Sequence, residues 1–278
     1  MRTRRYPAPK LKIVNRYRYL ISLVMLLPLV LLSWKHSPPA PGTQEQWESI
    51  FNGEDLSGWQ IKVTGHELDQ NYKNTFQAKD GKLIVSYDEY DTFDDKFGHI
   101  FYHEKLSRYK LRLEYRFIGD QVPGAPDWAY RNSGVKFHSR APEEIPKDQK
   151  LLVAVEAQLL GGNGKDERPT ANVCTAGTHI EMDGKLITEH CTPSSSKTYH
   201  GNQWVALELE VLGNEKVIHR VNGEVVFEYE KPQLDDSDPF SKQLLDKGVP
   251  RMLSDGYIAL QAESHPVEFR NIELMRLP

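Results

Sequence analysis

Tyr109-Lys110-Leu111-Arg112-Leu113-Glu114-Tyr115-Arg116-Phe117 alternates apolar and charged side chains along its whole length. A period of two places successive side chains on opposite faces of an extended chain, so this run predicts a strand with one buried and one wet face. Residues 204–211 and 217–221 continue the pattern, and residues 256–262 and 267–274 close it. Asp80-Gly81, Asp183-Gly184 and Asn222-Gly223 are each flanked by strand-like residues, and each predicts a hairpin. One stretch, Pro239 to Leu245, has helical character, with Asp238 as its N-cap. Many strands and one short helix predict an all-β sandwich or barrel.

Two runs break the simple alternation. In Leu151-Leu152-Val153-Ala154-Val155-Glu156-Ala157-Gln158-Leu159-Leu160, polar atoms sit inside an apolar strand. Glu156 and Gln158 are two residues apart and share a face. An unpaired buried carboxylate costs several kcal/mol, so the chain either pairs these groups structurally or lines a cleft with them. In Arg131-Asn132-Ser133-Gly134-Val135-Lys136-Phe137-His138, the same period puts Asn132, Lys136 and His138 on one face and Val135 and Phe137 on the other. Two such strands predict a solvent-filled groove on a β-sandwich.

The N-terminus has a different composition. Met1 to Arg18 carries seven basic and no acidic residues, and Tyr19 to Trp34 is apolar. That order of basic and apolar segments marks export, through either a cleaved signal or a retained anchor with its basic end in the cytoplasm. The expected organisation is a signal or membrane anchor at 1–34, with membrane contact through 19–34, a linker at 35–46 and one domain at 47–278. The protein is then periplasmic, or membrane-anchored and facing outward. Without residues 1–42 the chain has 27 basic and 39 acidic residues, a net charge of −12. So acidic a domain is a poor partner for nucleic acid.

Cys174 and Cys191 both fall in the exported part, where a disulfide is permitted. The hairpin between them closes at Asp183-Gly184. A strict two-residue loop would set Cys191 opposite Ala176, whereas a bulge or longer loop brings the cysteines toward register.

Several stretches together resemble the 3-keto-disaccharide hydrolase family. They are Ile50-Phe51-Asn52-Gly53-Glu54-Asp55-Leu56-Ser57-Gly58-Trp59, Asn132-Ser133-Gly134-Val135, Glu156-Ala157-Gln158, Tyr199-His200-Gly201-Asn202-Gln203-Trp204, and Gly256-Tyr257-Ile258-Ala259-Leu260-Gln261 with Val267-Glu268-Phe269-Arg270-Asn271-Ile272. They occur in the family's order and span nearly all of residues 47–278. The resemblance implies a concanavalin A-like jelly roll of two curved antiparallel sheets with a sugar-binding face. It also implies an oxidised disaccharide or glycoside as partner, cleaved next to a sugar C3 ketone. The family often has arginine where this chain has His138, which weakens the transfer of a role to that residue.

Such cleavage needs a base for the acidified C2 proton, a stabiliser for the enolate and a proton donor for the leaving oxygen. Glu156 is the expected base, with Lys136 or His138 stabilising the enolate or protonating the leaving group. Asn132 and Gln158 are expected to hold hydroxyls, and Trp128 and Tyr130 to stack on a sugar ring or pack their loop. A cross-strand salt bridge is the alternative role for Glu156 and Lys136. His179 shares a face with Glu181 and is a further candidate. No cofactor is called for. A divalent metal is left open, held by Glu156, His138 and His179 if these converge. His190, His200 and His265 are expected on surface loops.

Two other functions fit the same fold. A non-catalytic carbohydrate-binding module needs only the groove. An ordinary retaining glycosidase needs a second carboxylate. The laminarinase-type strand pattern of three acids is reduced here to Glu156 alone, so that second acid must come from elsewhere.

Overall fold

The three hairpins form where the sequence places them, because Asp80, Asp183 and Asn222 adopt left-handed backbone angles (φ 53°, 50° and 49°), each followed by a glycine at positive φ. Two successive positive φ values are what a tight two-residue hairpin turn requires. The computed structural model describes residues 46–278. The expected export segment, and all but the last residue of the expected linker, lie outside the described residues.

The strands in chain order are β1 (Glu48–Ser49), β2 (Trp59–Val63), β3 (Phe76–Lys79), β4 (Lys82–Val85), β5 (Gly98–Leu106), β6 (Arg108–Phe117), β7 (Asn132–Ser139), β8 (Ala154–Leu160) and β9 (Asn172–Ala176). They continue as β10 (Thr178–Met182), β11 (Lys185–Ile187), β12 (Cys191–Thr192), β13 (Val205–Leu212), β14 (Lys216–Val221), β15 (Glu224–Leu234), β16 (Gly256–Ala262) and β17 (Val267–Arg276). The helix α1 (Pro239–Asp246) starts at Asp238, whose carboxylate accepts hydrogen bonds from the Phe240 and Ser241 backbone N–H groups.

One sheet runs β11-β10-β15-β14-β13-β6-β17-β4-β3, with β1 added beside β17. The other runs β12-β9-β8-β7-β16-β5-β2. All pairings are antiparallel, and the fold is an all-β jelly-roll sandwich. Leu111, Leu113, Tyr115 and Phe117 of β6 enter the same core as Val135, Phe137, Val155, Ala157 and Leu260 of the second sheet. The strict alternation along β6 and β13 thus faces the partner sheet on one side and water on the other.

The outer face of the second sheet is different. A smaller apolar cluster of Phe101, Ile145, Leu152, Ala154 and Ala259 lies on it, formed where the segment after β7 folds back over the strands. That cover makes this face able to bury polar groups beside the cluster.

The chain changes sheets at Gly177, between β9 and β10. Gly177 has φ +65°, and a Cβ there would lie 2.6 Å from Ser241 Oγ, so both conformation and space require glycine. The Asp183-Gly184 hairpin therefore sits in the first sheet, while Cys174 and Cys191 lie in the second. Their register is set by the direct pairing of β9 with β12 and not by the hairpin turn. Cys191 stands opposite Cys174 and the two form a disulfide, with Cα atoms 4.1 Å apart.

Candidate active site on the outer face of the second sheet

Lys136 of β7 is the cross-strand partner of Glu156 on β8, and the next pair along is Gly134 with Gln158. Pairing of β8 with β9 then sets Glu156 beside Cys174, and Gln158 beside Asn172. These side chains point away from Val135, Phe137, Val155 and Ala157, which fill the core. They meet in a cavity of about 340 Å³ lined by Trp128, Asn132, Lys136, Leu151, Glu156, Gln158, Gln261, Glu263, His190 and the disulfide.

The Lys136 ammonium donates to the Glu156 carboxylate, and both side chains are almost wholly buried, 2% and 7% exposed. The salt bridge weighed from the sequence is present, and it lies inside a cleft. Gly134 makes room for it. A Cβ there would lie 2.3 Å from Glu156 Oε1, so the carboxylate lies across the bare backbone of β7. Asn172 Nδ2 donates to Gln158 Oε1 at 2.9 Å, which leaves the Gln158 amide nitrogen for the cavity. Trp128 stands at the mouth, 56% exposed, its ring parallel to Phe97 at 6.2 Å.

Glu263 follows β16 directly and was not anticipated. It is buried, and Gln261 Nε2 donates to its Oε1 at 3.1 Å. Burial raises its pKa to about 8. The negative Glu156 adds to the rise and the Lys136 ammonium opposes it. Glu156 on β8 and Glu263 at the end of β16 flank β7, which carries Lys136. One carboxyl, Glu156, therefore holds the ammonium, and the other, Glu263, does not.

Two acceptor atoms, Asn132 Oδ1 and Gln261 Oε1, are buried with no hydrogen-bond partner among the described residues. Buried polar groups are ordinarily satisfied, so unpaired acceptors around a cavity are suited to hydroxyl donors from a ligand. His99 on β5 pairs in register with Gln261. Burial, and then the Lys136 charge, push its pKa well down, so its ring is neutral.

Three of the candidate residues lie elsewhere. His138 is displaced by a β-bulge: Ser139 pairs with Tyr257 and Lys136 with Ala259, so two β7 residues oppose Ile258 alone. His138 takes φ +54° and packs against Gly256, where a Cβ would lie 2.4 Å from its Cα. Its Nε2 donates to the Gly213 carbonyl at 3.1 Å, and burial lowers its pKa to about 4. His138 lines a wider cleft of about 500 Å³ at the other end of β7, where the charged groups Lys105 and Asp255, and Arg140 and Glu144, are already paired.

Tyr130 packs its loop, with its ring 5.0 Å from that of His265. His265 is fully buried between Tyr130 and Phe117, in place of the surface position expected, and burial with the charges of Arg131 and Arg168 drives its pKa to about 3. His179 is on β10 in the other sheet, 3.3 Å from Asp235. Glu156, His138 and His179 do not converge, and among the described residues no group of three His, Cys, Asp or Glu side chains is arranged to hold a metal.

The sequence profile of the 3-keto-alpha-glucoside-1,2-lyase-like domain matches residues 46–275. The chain belongs to this family. The match takes in every residue lining the cavity and every strand of the lyase-like domain but for Arg276, the last residue of β17. No curated protein matches the chain. Among solved structures, the lyase-like domain is similar to a proposed glycosyl hydrolase from Parabacteroides distasonis, at 17% identity and a TM-score of 0.48 over 84% of this chain and 100% of that one. It is also similar to the carbohydrate-binding module CBM66 from Bacillus subtilis, at 10% identity and a TM-score of 0.46, covering 78% and 95%. The exoplasmic/lumenal domain of VIP36, bound to Ca2+ and Man3GlcNAc, resembles it at 10% identity and a TM-score of 0.46, covering 84% and 90%.

Proposed function

We propose that this lyase-like domain cleaves glycosides already oxidised at C3, with Glu156 as the base that removes the C2 proton. The observation that carries this is the buried Glu156–Lys136 pair in a cavity walled by amides and apolar groups, with Glu263 and His190. A ketone at C3 makes the C2 proton acidic, and its removal leaves negative charge on the C3 oxygen. A buried ammonium stabilises that charge strongly, because the surroundings screen it poorly. The C1 substituent then departs as C1 and C2 become doubly bonded. Asn132, Gln158 and Gln261 hold the ring hydroxyls, and Trp128 offers a face to the ring at the mouth.

A second carboxyl, Glu263, in the same cavity gives the ordinary glycosidase its missing acid, and that reading is the rival. It is disfavoured by Lys136. An ordinary glycosidase passes through an oxocarbenium-like state with positive charge at C1, which a nearby buried cation opposes.

The disulfide supports an exported location, since such bonds persist in oxidising compartments. With the basic and apolar N-terminus, it favours action outside the cytoplasm.

Glu156→Gln keeps the shape but cannot take the proton. It is expected to lose ~10²–10⁴-fold in turnover of a 3-keto disaccharide while its melting curve stays cooperative. Near-full turnover in this variant would make Glu156 a structural partner of Lys136 and move the base elsewhere.

A further inference from the structure

We propose that Glu263 protonates the departing glycosidic oxygen and, once water takes the alcohol's place, recovers that proton. This rests on the C2-abstraction reading and completes it. The geometry points to Glu263 in three ways. It lines the same cavity as Glu156 and Lys136. It approaches from β16, on the opposite side of β7 from Glu156. Among the described residues the one ammonium lining the cavity is already bound to Glu156, and none is left to hold Glu263 ionised.

The charges balance through the cycle. At the start Glu156 is a carboxylate and Glu263 carries a proton. Glu156 takes the C2 proton, and the C2 electron pair forms the enolate. Collapse of the enolate forms the C1–C2 double bond and breaks the bond from C1 to the leaving oxygen. That oxygen takes the Glu263 proton and leaves as the alcohol. Glu156 is now neutral and Glu263 ionised, so one negative charge has crossed β7 while Lys136 stays beside it. Water entering in place of the alcohol reverses each step. Glu263 takes a proton from water as its oxygen adds to C1, and Glu156 returns a proton to C2. Both carboxyls are reset, and the net reaction is hydrolysis of the keto glycoside.

Asn132 Oδ1 and Gln261 Oε1, buried acceptors without partners among the described residues, line the same cavity as Glu263 and suit the hydroxyls of a sugar held there. Of the other titratable groups around Glu263, His99 on β5 pairs in register with Gln261 and is held neutral, the Tyr87 hydroxyl accepts from the Ser264 backbone N–H, and His190 lines the same cavity from its exposed position. Neither His99 nor Tyr87 competes as the donor. The His99 ring is poor at holding an extra proton, and burial pushes the Tyr87 hydroxyl well above its usual range.

The test compares two 3-keto glucosides, one losing methanol and one losing 4-nitrophenolate, in the full-length protein and in Glu263→Gln. Methoxide needs a proton to leave, and nitrophenolate does not. The variant is expected to lose ~10²–10⁴-fold on the methyl glycoside and about tenfold or less on the nitrophenyl one. It should still exchange the C2 proton with deuterium oxide, because Glu156 is intact. Equal losses on both substrates, with exchange lost as well, would overturn the proposal and make Glu263 a positioning residue for Glu156. If the wild-type protein shows no C2 exchange, the abstraction reading itself fails, which is a separate outcome. Should Glu263→Gln not fold, the wild-type pH profiles decide. The methyl glycoside rate should fall as pH rises through about 8, and the nitrophenyl rate should not. Parallel profiles overturn the role of Glu263.

Discussion

The carboxylate of Glu156 lies over the backbone of Gly134, so closely that a methyl group on residue 134 would stand 2.3 Å from Oε1 and 2.7 Å from Cδ. Gly134 does not need glycine for its own conformation, since its φ is not positive. It needs glycine because Glu156 occupies the space.

Gly134→Ala therefore forces the carboxylate off Lys136. The extra methyl is expected to cost about 1–3 kcal/mol of stability through overpacking. The displaced base should lower kcat/KM on a keto glycoside by ~10²-fold, the scale of an ångström-sized misplacement at a reacting group. Denaturant melts and steady-state rates check the two effects separately. Wild-type rates in a destabilised variant would show that the position of Glu156 does not matter to turnover.

Much of this site was legible from residue spacing. Glu156 and Gln158 in an apolar run, and Asn132 and Lys136 at alternate positions, required a shared outer face, and register brought them together. What the spacing missed has local physical causes. The period of two assigned His138 to that face, but the bulge opposite Ile258 resets the alternation at that residue. His179 was two positions past Gly177, and the left-handed turn there carries the chain into the other sheet. Glu263 follows Gln261 by two residues, so the same-face rule that singled out Glu156 and Gln158 also applies to this pair. The signal was present, just beyond the end of the apolar run.

Glu263 also imposes a pH dependence on stability. Its folded pKa of about 8 lies above the ordinary value of 4.5, so the native state holds a proton that the unfolded chain has released between those values. Stability contributed by that proton is full below about pH 4.5 and is lost as pH rises through about 8. Glu263→Gln removes the loss. Relative to wild type, the variant should gain stability between pH 5 and pH 8.5, by an amount on the order of a few kcal/mol. Parallel pH–stability curves for the two proteins would contradict this.

The disulfide ties β12 to β9 directly beside Glu156, whose neighbour on β9 is Cys174. Its cysteines are 17 residues apart. Closing a loop of that size contributes about 3 kcal/mol in the chain-entropy account. Replacing both cysteines by alanine should lower the urea midpoint correspondingly. Adding reductant should do the same to the wild type and nothing to the variant. An unchanged midpoint in the variant would mean that the strand pairing alone holds this edge of the cavity.

The central claim is that cleavage begins at the C2 proton of a sugar made acidic by its C3 ketone. The most direct measurement offers the wild-type protein a 3-keto disaccharide and the parent disaccharide side by side in deuterium oxide and follows C2 by NMR. Cleavage of the keto sugar alone is expected, with deuterium appearing at C2 of the recovered sugar. Equal cleavage of the parent disaccharide, with no deuterium at C2, would contradict it and leave Glu156 and Glu263 as the two acids of an ordinary glycosidase.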